Sequence, residues 1–229
     1  RYINNMLSLK QSLSLSSIDP LWSPYDETSL EAWYQFQTGI TLNGTDVSAW
    51  ADSSSNSHDM VQATATEQPA YSAATGIITF ASADSNNLQT TSQISLSGAF
   101  TIAMRINMLA AGGVPIADNT TVGEFIKYTT SSQMRIKIDN SQVDITLDSG
   151  TFGDDYLIIT RNGSNLITLH KNGVAQADTE TLSGTADIDA LGVRRTDTNP
   201  FNGTMKEVEI YSSSSTELTY NINERLSSL

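Results

Sequence analysis

Strict period-two alternation constrains this chain more than any other feature it carries. From Phe100 to Met108 the even positions read Phe, Ile, Met, Ile and Met, while the odd ones read Thr, Ala, Arg and Asn. Successive side chains of a strand point to opposite faces, so the spacing predicts one strand with a single apolar face. Phe100, Ile102, Met104 and Ile106 are expected in a core, with Arg105 and Asn107 on the opposite face. Met134, Ile136 and Ile138 alternate with Arg135, Lys137 and Asp139, and Val143, Ile145 and Leu147 continue the pattern after a polar link at Asn140-Ser141, read as a hairpin turn. Tyr156–Arg161, Asn162-Gly163, Leu166–Lys171 and Asn172-Gly173 give a further antiparallel run, punctuated by residues that tolerate left-handed turn positions. Leu30–Phe36, Ile77–Phe80, Leu191–Val193 and Met205–Tyr211 add strands. Many strands with one apolar face each, and no helical spacing between them, predict an all-β fold: a two-sheet antiparallel β-sandwich.

Two segments break the alternation. Ser214-x-x-Glu217 has a capping-box pattern, followed by Leu218, Ile222, Leu226 and Leu229 at helical spacing, which predicts a short C-terminal helix lying on the sandwich. At the other end, Leu7, Leu9, Leu13 and Leu15 alternate with polar residues ahead of Asp19-Pro20 and Ser23-Pro24. Residues 1–25 are therefore expected to form an extended N-terminal arm and residues 26–229 the β-sandwich domain. A bare apolar stripe is an aggregation hazard, so Leu7, Leu9, Leu13 and Leu15 are assigned to assembly with a neighbouring subunit or surface.

Composition excludes several function classes. Twelve basic residues stand against 25 acidic ones, a net charge of −13, and phosphate neutralisation needs the reverse balance. No nucleic-acid partner is expected. There is no cysteine for a disulfide framework, a thiolate metal site or a cysteine nucleophile. No run of apolar residues is long enough to predict membrane insertion. Asn43, Asn119, Asn162 and Asn202 each begin an Asn-x-Ser/Thr triplet, but Ser, Thr and Asn make up 73 residues, and three of the four triplets are Asn-Gly turns.

A series of short motifs carries a family resemblance. Leu30-Glu-Ala-Trp33-Tyr34 is followed by Trp50-Ala-Asp52-Ser-Ser-Ser-Asn56-Ser-His58-Asp59, then Gln68-Pro69-Ala-Tyr71, and near the end by Leu191-Gly-Val-Arg194 and Phe201-Asn-Gly-Thr-Met-Lys-Glu207-Val-Glu209-Ile-Tyr211. In this order the motifs resemble the laminin-G-like, or concanavalin A-like, jelly roll in its phage virion and bacterial surface form, over roughly residues 26–229. The resemblance implies a non-enzymatic structural protein of a bacteriophage particle, partnered by other virion proteins and its own copies and located in the virion. The alternative it implies is a secreted, extracellular carbohydrate-binding or adhesion module facing a host-surface glycan. It also implies that calcium is possible at the Asp52 loop. Serines at 55 and 57, where the family usually has glycine, argue for no metal or other cofactor there.

The residues themselves support no catalytic site. Glu207 and Glu209 share a strand face and are expected to point outward with Tyr211, with Val208 and Ile210 turned inward. No third carboxylate follows, as a glycosidase of this fold requires. His58 and His170 are the only histidines, and no Gly-x-Ser-x-Gly supports a serine triad. Trp33 and Trp50 are read as packing residues. Asp52, Ser53 and Asn56 are read as loop caps, and Gly203 as a turn.

Overall fold

A computed structural model describes residues 22–119, 123–194 and 197–229. Leu7, Leu9, Leu13 and Leu15 lie outside the described residues.

Among the described residues, antiparallel pairing links 18 strands folded into two layers. The first layer has the order Leu30–Tyr34, Gly203–Tyr211, Phe100–Met108, Asp154–Arg161, Leu166–Lys171. The second runs Ser141–Thr146, Gln133–Ile138, Phe125–Thr130, Ile116–Ala117, Ala186–Leu191, Leu88–Leu96, Met60–Val61, Asp46–Trp50, Ile40–Asn43. Ala70–Ser72 and Ile77–Phe80 cross between them: the former pairs with Asp46, and the latter with Gly203–Met205. Ile102, Met104, Ile106, Val208 and Ile210 of the first layer meet Leu88, Ile94, Ile126, Ile136 and Ile188 of the second in one core cluster. The β-sandwich read from the alternation is the observed fold.

On Phe100–Met108 the even positions are all buried in this core, as their spacing predicts. The odd face is not free, however: Thr101 and Ala103 are buried too. The cover is the helix Thr216–Ser227, whose Leu218, Ile222 and Leu226 pack on Ala103, Ile158 and Tyr211. Burying three such side chains contributes roughly 5–9 kcal/mol gross. Its N-cap is Ser215, whose hydroxyl accepts from the Leu218 N–H at 3.0 Å, one residue later than the capping-box reading placed it. That register leaves Leu218 at the position the box would give to Glu, because turning the leucine stripe onto the sheet outweighs one reciprocal cap bond.

Turns differ from the sequence reading by single residues. The hairpin between Gln133–Ile138 and Ser141–Thr146 closes with Ile138 opposite Ser141, so the turn is Asp139-Asn140. Asp139 takes a φ of 51°, a conformation Asp tolerates better than Ser does. Lys171 pairs with Val174 across Asn172-Gly173, both at positive φ, as read. Gly203 lies within a strand and makes no turn. A Cβ there would meet the Asn107 carbonyl and the Phe201 ring, and Phe201 is itself stacked edge-on against Phe80 at 5.7 Å.

Trp22–Tyr25, assigned from the sequence to the end of the arm, rest on the domain. Trp22 packs beside the helix cluster and its indole N–H donates to Glu27 at 3.0 Å, while Tyr25 meets the Trp33 ring edge-on at 5.1 Å.

Candidate functional site

Two places carry the polar residues singled out by the sequence, and a third, among the described residues, is an open groove. The first is the Asp52 loop. Asp52 Oδ1 accepts from the backbone N–H of Trp33 (2.9 Å) and Ser54 (2.8 Å). Its Oδ2 accepts from the Ser54 hydroxyl (2.6 Å) and the His58 N–H (3.0 Å). Asn56 donates to the Leu30 and Glu31 carbonyls, both at 2.9 Å. The capping role expected of Asp52 and Asn56 is observed. The hydroxyl involved is that of Ser54; Ser53 contributes its backbone N–H, to the Trp33 carbonyl. Ser57 takes a φ of 61°, so serine does adopt the left-handed backbone at that position. What does not fit calcium here is the carboxylate: four protein donors occupy both its oxygens, and a hard cation needs such oxygens free.

The second place is the Glu207–Tyr211 face. Val208 and Ile210 point into the core as expected. Glu207, Glu209 and Tyr211 point the other way but do not reach solvent, since each is 0% exposed. The C-terminal helix and the Leu30–Tyr34 strand cover them. Arg225 of that helix forks onto Glu207, its Nη2 lying 2.9 Å from Oε2, and approaches Glu209 Oε1 at 3.3 Å. Trp33 Nε1 and the Phe36 N–H complete Glu207 at 3.0 Å each, and the Arg225 guanidinium lies over the Trp33 ring at 4.7 Å. The Tyr211 hydroxyl donates to Glu209 Oε2 at 2.5 Å. Burial, reinforced by the charge and hydrogen bond of Glu207, pushes the Glu209 carboxyl well above the usual carboxylate range. Its Oε1 has no hydrogen-bond partner, and Arg225 Nε is 3.3 Å away from it. A sealed carboxyl pair neutralised by arginine holds the helix to the sheet. It presents nothing to a glycosidic bond, which a hydrolase must bring between two carboxyl groups. Trp33 and Trp50 are buried as packing residues.

The third place was not singled out by the sequence. Across the outer side of the second layer runs a groove of about 720 Å³ lined by Val61, Gln62, Thr64, Glu67, Gln89, Thr90, Thr91, Gln93 and Asp189. Its shape comes from a bulge. Ile94 pairs with Ile188 and Gln89 with Ala190, so the chain between them loops out opposite Asp189. His58 Nδ1 meets the Ser92 carbonyl at 2.6 Å, tying the Asp52 loop to that bulge.

Planar amides and carboxylates fix the floor. Gln62 Nε2 donates to Asn87 Oδ1 (2.8 Å) and Glu67 Oε2 (3.3 Å), and its Oε1 accepts from the Thr64 N–H (2.9 Å). Gln89 Nε2 donates to the same Asn87 oxygen (2.8 Å) and to Asp197 Oδ1 (3.1 Å). Asn119 continues the line, donating from its side chain to Asp197 (3.1 Å) and from its backbone to Asp189 (2.6 Å). Burial, joined by the Asp118 charge, outweighs the Asn119 N–H and pushes the Asp189 carboxyl up to about 6. Nearby Glu124, 7% exposed, is pushed up to about 7 chiefly by burial. Among the described residues no three His, Asp or Glu side chains are placed to hold a metal ion, and no helix is long and apolar enough to cross a membrane.

His170, read as solvated or turn-bonded, is half-buried beside Thr160, Thr168 and the start of the helix. Its Nδ1 has no partner, and burial lowers its basicity.

No protein-family model matches the chain, and no curated protein sequence does. Solved structures do resemble it. The binding domain of Paraclostridial mosquitocidal protein 1 is similar over 90% of this chain and 53% of its own, at 15% identity and a TM-score of 0.57. An arabinofuranosidase complexed with arabinofuranosyl-alpha-1,2-xylobiose is similar over 79% of this chain and 50% of its own, at 12% identity and a TM-score of 0.55. The CBM40 of the Ruminococcus gnavus IT-sialidase, bound to alpha2,6 sialyllactose, matches 55% of this chain and 83% of its own at 13% identity, with a TM-score of 0.41. The chain spans about half the length of the first two. At these identities the likeness is one of fold, a β-sandwich.

Proposed function

We propose that this chain is a non-enzymatic carbohydrate-binding module of the extracellular kind, holding a glycan in the groove between Gln62, Gln89 and Asp189. The observation that carries the proposal is the groove itself: an open cleft of about 720 Å³ whose walls are amides, carboxylates and hydroxyls. The carboxylate and amide oxygens of such a wall accept hydrogen bonds from sugar hydroxyls, and the volume lies within the range of small-ligand sites. The names of two structures with the same fold, a toxin's binding domain and an arabinofuranosidase carrying a sugar, favour this reading over the virion role. That role rests on the family resemblance and on the assembly reading of Leu7, Leu9, Leu13 and Leu15, which lie outside the described residues.

Among the described residues the groove lining includes no aromatic ring, so hydrogen bonds are its means of holding a sugar. Four such bonds at about 0.5–1.5 kcal/mol net sum to roughly 2–6 kcal/mol, which is affinity near the millimolar range. Detection therefore calls for ligand-observed NMR or a multivalent glycan surface. The intact chain is expected to bind, and Gln89→Ala to abolish binding while melting within a few degrees of the parent. A protein that binds no glycan on a broad multivalent surface, or a Gln89→Ala variant that binds as well as the parent, overturns the proposal.

A further inference from the structure

Hydrogen-bond accounting across the groove sorts its floor by polarity. The Gln62 amide is oriented by Glu67, because a carboxylate only accepts, and both of its N–H bonds end inside the protein. Gln89 is oriented in the same way by Asp197, and both of its N–H bonds are likewise spent internally. Among the described residues, Glu67 Oε1 and Gln89 Oε1 receive no donor, while Asp189 adds a second carboxylate to the lining. The fixed floor thus presents acceptors. Donors are the hydroxyls of Thr64, Thr90 and Thr91 and the Gln93 amide, of which Thr64, Thr91 and Gln93 are exposed. Among the described residues the lining contains no lysine, arginine or histidine, and the chain carries a net charge of −13.

From this we infer that the groove takes a donor-rich glycan without negative charge, that it prefers sugars bearing a free amino group, and that it rejects carboxylated and sulfated ones. The inference rests on the groove being the glycan site. An ammonium or hydroxyl group completes the unpaired oxygens of Glu67 and Gln89. An acidic sugar would set its charge beside two carboxylates with no cation among the described lining residues to offset it, a juxtaposition that costs affinity and slows encounter. A hydrogen bond to a charged partner is worth about one factor of ten more than a neutral one.

The test is a glycan surface displaying equal densities of neutral gluco-, xylo- and galacto-oligosaccharides, glucosamine oligomers, and sialyllactose with sulfated galactose, read with the intact chain at pH 7.5. Glucosamine oligomers are expected to bind about tenfold tighter than neutral sugars. Sialylated and sulfated sugars are expected to stay at background. Glu67→Gln, which keeps the shape and the bond from Gln62, is expected to bring amino sugars down to the neutral level. Added salt should do the same. Sialyllactose or sulfated galactose bound as tightly as neutral sugars overturns the inference while leaving the carbohydrate-binding reading intact. So does an amino-sugar preference that survives Glu67→Gln. Silence across all three classes overturns both.

Discussion

Replacing Arg225 with methionine tests whether the buried carboxyl pair holds the C-terminal helix to the sandwich. Methionine keeps most of the stem that lies against Trp33 and removes the guanidinium, which forks onto Glu207 and approaches Glu209. Glu207 would be left with the Trp33 indole and the Phe36 N–H as its only donors, in a site with 0% exposure. Breaking a buried ion pair from one side costs about 3–5 kcal/mol, because the orphaned charge stays desolvated. For a domain of this size, each kcal/mol moves the melting temperature by about 2–4 °C. Arg225→Met should therefore melt roughly 6–20 °C below the parent at pH 7.

The two carboxyl groups should then behave differently. Burial and the Glu207 charge favour the neutral form of Glu209, so Glu209→Gln is expected to cost less than about 1 kcal/mol. Glu207→Gln breaks a forked ion pair and should approach the cost of Arg225→Met. The readout is a thermal melt by circular dichroism across pH 4.5–8. An Arg225→Met protein melting within two degrees of the parent refutes the reasoning, as does Glu209→Gln falling as far as Glu207→Gln.

Other expectations follow from the same contacts. Glu209, Asp189 (about 6) and Glu124 (about 7) have folded pKa values above their unfolded ones, so the native state binds the extra protons. Stability should be fullest below about pH 4–5 and decline as pH rises through 6–7, so the parent should melt higher at pH 5 than at pH 8; the reverse order would contradict these assignments. Below about pH 4 the trend should turn, because the Arg135 and Arg105 partners hold Asp144 and Asp154 beneath the usual range. Melts in calcium and in chelator should agree, since the Asp52 oxygens are already filled; a large calcium-dependent rise would show a tight native-state site. Ile102→Asp places an unpaired charge in the inter-sheet core and should abolish soluble folded protein, whereas Asn107→Asp, on a partly exposed position, should be tolerated.

The sandwich was legible in the sequence because a half-buried strand writes its two environments into adjacent residues, and Phe100–Met108 does so without interruption. Legibility stopped where burial came from an element distant in sequence. Glu207, Glu209 and Tyr211 look like a solvent face because alternation records which side faces the sheet core. It does not record whether a helix later covers the other side. Arg225 was the available clue: a lone cation on the leucine-striped helix, against a strand carrying two carboxylates on one face. The groove was harder still. Its floor is assembled from Gln62, Gln89 and Asp189, three segments that share no motif, and its depth comes from a bulge that breaks the alternation used to find strands. Gln89, Thr91 and Gln93 stand at alternate positions and read as an ordinary polar exterior. What makes them a site is pairing partners. Asn87 and Asp197 consume the Gln89 amide hydrogens and leave its oxygen outward, so the recognition chemistry of this surface lies in its hydrogen-bond network and not in any local string of residues.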